Sequence, residues 1–378
     1  ILLTRGTTSR SAIQLNQEVE FVGGRLSSAA DFDHLTVNLQ VLARDTRPAL
    51  DLLSDMVLRP AFSDSELARA KREVIAEIRR QADEPGDILY KEFYRQLFGA
   101  HPYGHPVIGH DSTVAAITRQ QVLEFYERWF APNNCYLVVV GDFFQAELKS
   151  QLQRQFGPTA RHPVSPIEDR PLTPFTVPRG RIITRPEMNQ AYVFLGHAGV
   201  REGMSDLYAL RLMNYILGGS GLGSRLGVAI RQNRGLAYDA RSFFDRRQLV
   251  GGFAASTQTR TESAMVAIEL IRSELRRIRD EVVSDYELKK AKDYFVGSFP
   301  LDYEGVNQKL AIMDRIELYH LGTDYVDRFA DRVRAVTRDQ VLKAAQDHLF
   351  PDNYLLVVVG NLSEQDIRLP GLEWIHSD

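Results

Sequence analysis

Two side chains seven positions apart, Arg231 and Tyr238, close a stretch that opens on glycine: Gly218-Gly219-Ser220-Gly221-Leu222-Gly223-Ser224-Arg225-Leu226. A guanidinium fork and a phenol can both donate hydrogen bonds to a peptide carbonyl or to the oxyanion it becomes under attack. Glycine lets a backbone approach a bound chain closely and adopt positive φ. Arg231 and Tyr238 are therefore the candidate catalytic residues, and Gly219, Gly221 and Ser224 the candidate substrate-binding positions. Arg234 is the competing arginine. A phosphate cradle is the rival reading of the glycines. They follow a helical pattern rather than a strand, and they lack both the dinucleotide spacing and a Lys-Ser/Thr pair, so a nucleotide site carries little weight.

Other residues offer less. Of the nine histidines, His101 and His105 have i, i+4 spacing, but Pro102 and Gly104 between them prevent a helix. His34 reads as a polar contact at a strand end, and His197, His320 and His348 as isolated structural groups. Cys135, the one cysteine, excludes an internal disulfide and reads as buried and inert at a strand start. Neither a G-x-S-x-G elbow nor a Cys/His nucleophile signature is present.

The elements that must position these residues come from a repeat. Residues 118–142 read TRQQVLEFYERWFAPNNCYLVVVGD and 337–361 read TRDQVLKAAQDHLFPDNYLLVVVGN, an offset of 219 (337 minus 118). Ser63-Asp64-Ser65-Glu66-Leu67 is echoed by Ser284-Asp285-Tyr286-Glu287-Leu288. The chain is two copies of one unit. Ser63/Glu66, Ser284/Glu287, Thr118/Gln121 and Thr337/Gln340 form capping boxes that start helices. The apolar runs 137–140 and 356–359 read as buried strands, as do 181–185 and 191–195. A helix from Ser205 or Asp206 places Leu207, Leu210, Met213 and Leu217 on one face, and another over 261–280 aligns Ile268, Ile271, Leu275 and Ile278. Pro158, Pro163, Pro166, Pro171 and Pro174 mark a linker. The expected division is a first domain over 1–157, the linker over 158–175 and a second domain over 176–378. Carried back by the offset, position 176 falls at −43 (176 minus 219), so the first copy is expected to lack roughly its first forty residues. Opening on Ile1-Leu2-Leu3, with no initiator Met and no basic leader, the chain reads as a piece of a longer precursor.

Taken together, GGSGLGSRL…IRQNRGLAY, the Arg5-Gly6-Thr7 opening with Arg10-Ser11-Ala12, the Gly23-Gly24 turn, the His101-Pro102-Tyr103-Gly104 loop and both LVVVG runs resemble the pitrilysin and mitochondrial-processing-peptidase family. The resemblance implies an α+β fold of two homologous αβ-roll domains, half of a clamshell in which a peptide adds as a strand to a sheet edge. Active members carry H-x-x-E-H and a further Glu ligand downstream. Their second His runs into a phrase matched here by Ile1-Leu2-Leu3-Thr4-Arg5-Gly6-Thr7, which puts Ile1 at the His. Glu77 matches the downstream ligand. The resemblance thus implies no metal in this chain and zinc in a partner. The chain would be the non-catalytic subunit of a two-chain zinc metallopeptidase, offering Arg231 and Tyr238 to a peptide at the partner's metal, as a heterodimer. Two alternatives stay open: a catalytically inactive structural or peptide-binding homodimer, and an active zinc endopeptidase whose metal motif lies upstream of Ile1.

A net charge of −3 with no basic run leaves nucleic acid without an electrostatic footprint. No apolar run approaches the roughly 20 residues that span a bilayer, so no membrane partner is expected. Bacterial periplasm and cytoplasm both remain open.

Overall fold

The computed structural model describes residues 1–165 and 167–376; Pro166 of the expected linker lies outside the described residues. In chain order the helices are α1 (Ala12–Phe21), α2 (Thr46–Leu58), α3 (Asp64–Asp83), α4 (Pro85–Phe98), α5 (Asp111–Ala116), α6 (Arg119–Trp129), α7 (Gln145–Phe156), α8 (Leu207–Asn214), α9 (Ala264–Asp280), α10 (Asp285–Ser298), α11 (Val306–Leu318), α12 (Tyr325–Ala335) and α13 (Arg338–His348). The strands are β1 (Arg25–Ala30), β2 (Leu35–Gln40), β3 (Arg179–Thr184), β4 (Gln190–Ala198), β5 (Ala237–Asp245), β6 (Gly252–Arg260), β7 (Leu355–Gly360) and β8 (Glu373–Trp374). The chain is α+β throughout. By contact it divides into two units, one of Ile1–Arg80 with Val107–Glu168, the other of Gln81–Pro106 with Asp169–Asp378. The stretch 81–106, which the sequence reading counts with the first domain, packs with the second.

In the first unit β1 and β2 form an antiparallel hairpin, Arg25 opposite Gln40 and Ala30 opposite Leu35. Leu15 and Val19 of α1 and Leu52 and Met56 of α2 pack with Leu26, Val37 and Leu39 of the hairpin. The Arg-Gly-Thr opening serves this packing. Asp55, fully buried on α2, accepts hydrogen bonds from Thr7 Oγ1 (2.6 Å), Ser9 Oγ (2.7 Å), Arg10 Nη1 (2.7 Å) and Arg59 Nε (2.7 Å). Burial alone would raise its carboxyl; the donors from Thr7, Ser9, Arg59 and Arg10 outweigh that and hold it well below the usual carboxylate range.

The second unit is built on a six-stranded sheet of order β5-β6-β4-β7-β3-β8. β3 runs parallel to β7, while β4 is antiparallel to both β6 and β7. Every residue of β7 is buried, and alternate residues face opposite layers. Leu356 and Val358 join Val193 and Leu195 of β4 in the main core, with Leu210 and Met213 of α8, Ile268 and Ile271 of α9, and Val341 of α13. On the other face α4 covers β4 and β7: Phe93 meets Phe194 edge to face with ring centroids 5.5 Å apart, and Glu92 lies 3.4 Å from Arg181.

The Thr/Gln capping boxes form alike in both copies, whereas of the Ser/Glu boxes Ser284/Glu287 closes both ways and Ser63/Glu66 shows only the bond from Glu66 N to Ser63 Oγ, at 3.4 Å. Gln121 Oε1 accepts from Thr118 N at 2.8 Å and Gln340 Oε1 from Thr337 N at 2.8 Å. The second LVVVG run becomes β7, but the first does not form a strand: residues 135–140 are irregular and partly exposed. β7 is flanked by β3 and β4, whereas among the described residues no strand flanks 137–140. For the same reason Cys135 is exposed rather than buried, a correction to the sequence reading.

Candidate substrate-contact site

All the glycine-loop candidates lie in the second unit, between α8 and β5. Asp206 precedes α8, which runs on as a π-helical turn, Tyr215–Gly219. A 3₁₀ turn, Gly221–Gly223, follows, and then a second π-helical turn, Gly227–Gln232, that carries Arg231. The two turns touch backbone to backbone: a Cβ on Gly227 would stand 2.2 Å from Gly221 O. Ser224 is buried between them. Its hydroxyl donates to Gly221 O at 2.5 Å and accepts from Gly227 N at 3.1 Å. Ser224 therefore holds the loop together, and its hydroxyl is committed to backbone. Gly219 packs on Asn214, and Gly221 takes φ +61°.

The loop is tied to the sheet by residues that sequence patterning gave no signal for. Asn214 Nδ2 donates to Ser242 O at 3.1 Å, and Ser242 Oγ donates to Asn214 Oδ1 at 2.8 Å. Gly235, at φ +61°, ends the Arg231 turn: its N–H reaches Arg231 O at 2.9 Å and Leu236 N reaches Ile230 O at 3.1 Å.

Tyr238 is the extra residue of a β-bulge. Ala237 pairs with Thr259 and Asp239 with Gln258, which leaves Tyr238 with no partner on β6. A bulge re-aims a side chain, and this phenol is 82% exposed. Thr259 Oγ1 donates to Leu236 O at 2.6 Å and Thr257 Oγ1 to Asp239 O at 2.9 Å, pinning the backbone on both sides. The Arg231 guanidinium carbon sits 4.7 Å from the Tyr238 ring centroid. This cation–π contact holds the pair together and commits no N–H or O–H. Arg234, two residues past that turn, is exposed.

The positions that the resemblance assigns to a metal do not fit one. Ile1 has no donor side chain. Glu77 is clasped by Arg80, with Nε at 2.9 Å and Nη2 at 2.6 Å. Glu73, one turn earlier on α3, is paired with Arg5 and, at 3.1 Å, with Arg69 Nε. Among the described residues no three His, Cys, Asp or Glu side chains converge as a metal site. Three of the histidines have close polar partners. His101 Nδ1 accepts from Tyr103 N at 3.0 Å, His34 lies 3.0 Å from Asp31 in the hairpin turn, and His348 Nε2 lies 2.6 Å from Asp206 Oδ2. No helix is long and apolar enough to cross a membrane among the described residues.

The second unit thus presents Tyr238 on a bulge of β5, an edge strand of its sheet, with Arg231 against the ring. Residues 2–111 match the family described as Insulinase (Peptidase family M16), and residues 116–295 match the Peptidase M16 inactive domain. An uncharacterized zinc protease of Mycobacterium leprae is 30% identical over 95% of this chain and 80% of its own length. One from Bacillus subtilis, YmxG, is 24% identical over 94% and 85%. The crystal structure of a peptidase M16 inactive domain from Pseudomonas fluorescens superposes with a TM-score of 0.88 at 25% identity, covering 96% of this chain and 86% of that one. This chain belongs to peptidase family M16, the pitrilysin-like metallopeptidases.

Proposed function

We propose that this chain is the non-catalytic subunit of a two-chain zinc peptidase and supplies Arg231 and Tyr238 to a peptide held at a homologous partner's metal. The observation that carries the reading is the pair itself: the Arg231 guanidinium carbon 4.7 Å from the ring centroid of Tyr238, which a bulge presents, with no hydrogen bond to either side chain among the described residues. The donor set around Glu77 supports it from the other side, since arginine occupies the carboxylate that a metal would need. The partner's zinc would supply the activated water. Arg231 would orient the scissile carbonyl, and the Tyr238 hydroxyl would donate to the developing oxyanion, with Gly219 and Gly221 giving the bound chain close approach to the loop. The test mixes this chain with an H-x-x-E-H-bearing homologue from the same source and follows cleavage of a peptide library. Arg231→Ala and Tyr238→Phe are each expected to lower kcat/KM by roughly 100-fold or more. Unchanged kcat/KM in both variants overturns the assignment.

A further inference from the structure

Each turn of the glycine loop meets one stripe of α10. Glu287, Lys290 and Tyr294 stand at i, i+3 and i+7, which places them on one face of that helix. Tyr294 stacks on Tyr215 of the first π-helical turn, with ring centroids 4.6 Å apart. Lys290 Nζ donates to Gly223 O of the 3₁₀ turn at 3.3 Å. Glu287 takes the Arg225 fork, Nε at 2.7 Å and Nη2 at 3.1 Å. Arg225, its side chain 8% exposed, opens the helical segment that runs on to Arg231. Leu226 and Ile230 sink the other face of that segment into the core. Toward α9 and α10 the loop is undercut by a cavity of about 270 Å³, with Ser220, Gly223 and Val228 on the loop side and Glu274 on α9. A void gives its walls no contacts, so on this side polar ties hold the loop.

We propose that Glu287, acting through Arg225, is a positioning residue for the Arg231–Tyr238 pair, with Lys290 as the second tie. One carboxylate sets the start of two helical segments. Its Oε2 accepts from Ser284 N and Ser284 Oγ, each at 2.9 Å, which closes the capping box of α10, and the same group receives Arg225. An arginine fork on a carboxylate fixes direction as well as distance. Burial alone would raise the Glu287 carboxyl; the hydrogen bonds from Arg225 and Ser284 outweigh it and hold it at about 2, so the tie keeps its charge through the neutral range. Without the tie the segment is free to turn about Leu226 and Ile230 toward the cavity, which draws Arg231 off the Tyr238 ring. The tie stands on geometry alone; its bearing on cleavage rests on the function proposed above.

Hydrogen exchange on the full chain tests the tie with no partner present. Glu287→Gln keeps an amide oxygen for the capping box and turns a donor toward a guanidinium that needs an acceptor. Amides over 221–238 are expected to exchange at least about tenfold faster, and those of α9 and β6 at parent rates. Should α9 and β6 exchange faster as well, Lys290→Met decides, with the same expectation for 221–238. Unchanged exchange over 221–238 in the deciding variant overturns the proposal. Cleavage with the partner adds a double-mutant cycle. Glu287→Gln should lower kcat/KM about tenfold in the parent and less than about twofold in Arg231→Ala, because a pair already broken cannot be displaced again. A smaller folded fraction would lower both backgrounds by one factor, and that result also overturns the proposal. If Arg231→Ala alone leaves cleavage unchanged, the peptidase reading fails, and hydrogen exchange still decides the tie.

Discussion

The guanidinium carbon of Arg231 lies over the Tyr238 ring, 4.7 Å from its centroid, and among the described residues no hydrogen bond engages its N–H groups. That arrangement depends on a planar, delocalised cation. Lysine would keep the charge and lose both the fork and the stack. Arg231→Lys should therefore lower partner-assisted cleavage nearly as far as Arg231→Ala, while stability to denaturant changes by less than about 0.5 kcal/mol, as for a half-buried site outside the core. Recovery of most activity in the lysine variant would show that charge alone suffices. His197 makes a second residue-scale case, this one about stability. Its Nδ1 lies 2.8 Å from Ala198 O, and its Nε2 accepts from Phe350 N at 3.1 Å, so the buried ring is the neutral tautomer. Burial lowers its pKa to about 4, against a smaller opposing pull from Ala198 O. The folded state therefore binds this proton less readily than the unfolded one. The contribution is complete above pH ~6.5 and is lost as pH falls toward 4, roughly 3 kcal/mol over that window. Urea titrations at stepped pH should show this slope, and His197→Asn should flatten it.

At the scale of elements, the glycine loop is a small mechanism of its own. Two π-helical turns and a 3₁₀ turn are held by Ser224 and by the close approach of Gly227 to Gly221. Gly227→Ala must push those turns apart, since its Cβ would lie 2.2 Å from a carbonyl oxygen. Overpacking of this kind costs about 1–3 kcal/mol. The melting temperature should fall, and cleavage with the partner should fall too, with Arg231 and Tyr238 both intact. A variant that melts and cleaves as the parent does would free the loop from this role. How much of this could be read in advance varies with how local each feature is. The capping boxes were legible because their hydrogen bonds close within three residues, as at Thr118 and Thr337. The Arg–Tyr spacing was legible, but the bulge that exposes Tyr238 was not, because it is a property of pairing with β6. Ser224 was read as a substrate contact, whereas its hydroxyl serves backbone inside the loop. Asn214 and Ser242 gave no signal, since 28 positions separate the partners. The two LVVVG runs show the limit most directly: the same five residues form a strand where β3 and β4 flank them and none where they do not.

For the whole molecule, the repeat foretold two copies but not which copy each helix would serve. α4 lies within the first copy in sequence, yet its apolar face, with Leu89, Phe93 and Leu97, is buried within the second unit. A repeat records descent of a segment, while burial is settled by which apolar surface accepts it. This makes a prediction about cooperativity. Phe93 is fully buried against Phe194 of β4, and Phe93→Ala should cost about 3–5 kcal/mol. Hydrogen exchange should then rise in β4 and β7, which lie more than 90 residues downstream (190 minus 93 is 97), and leave the β1–β2 hairpin and α1 at parent rates. Leu52→Ala, in the core of the first unit, should do the reverse. If Phe93→Ala instead released the hairpin, α4 would belong energetically with the first copy, and the division by contact would not be the division by stability.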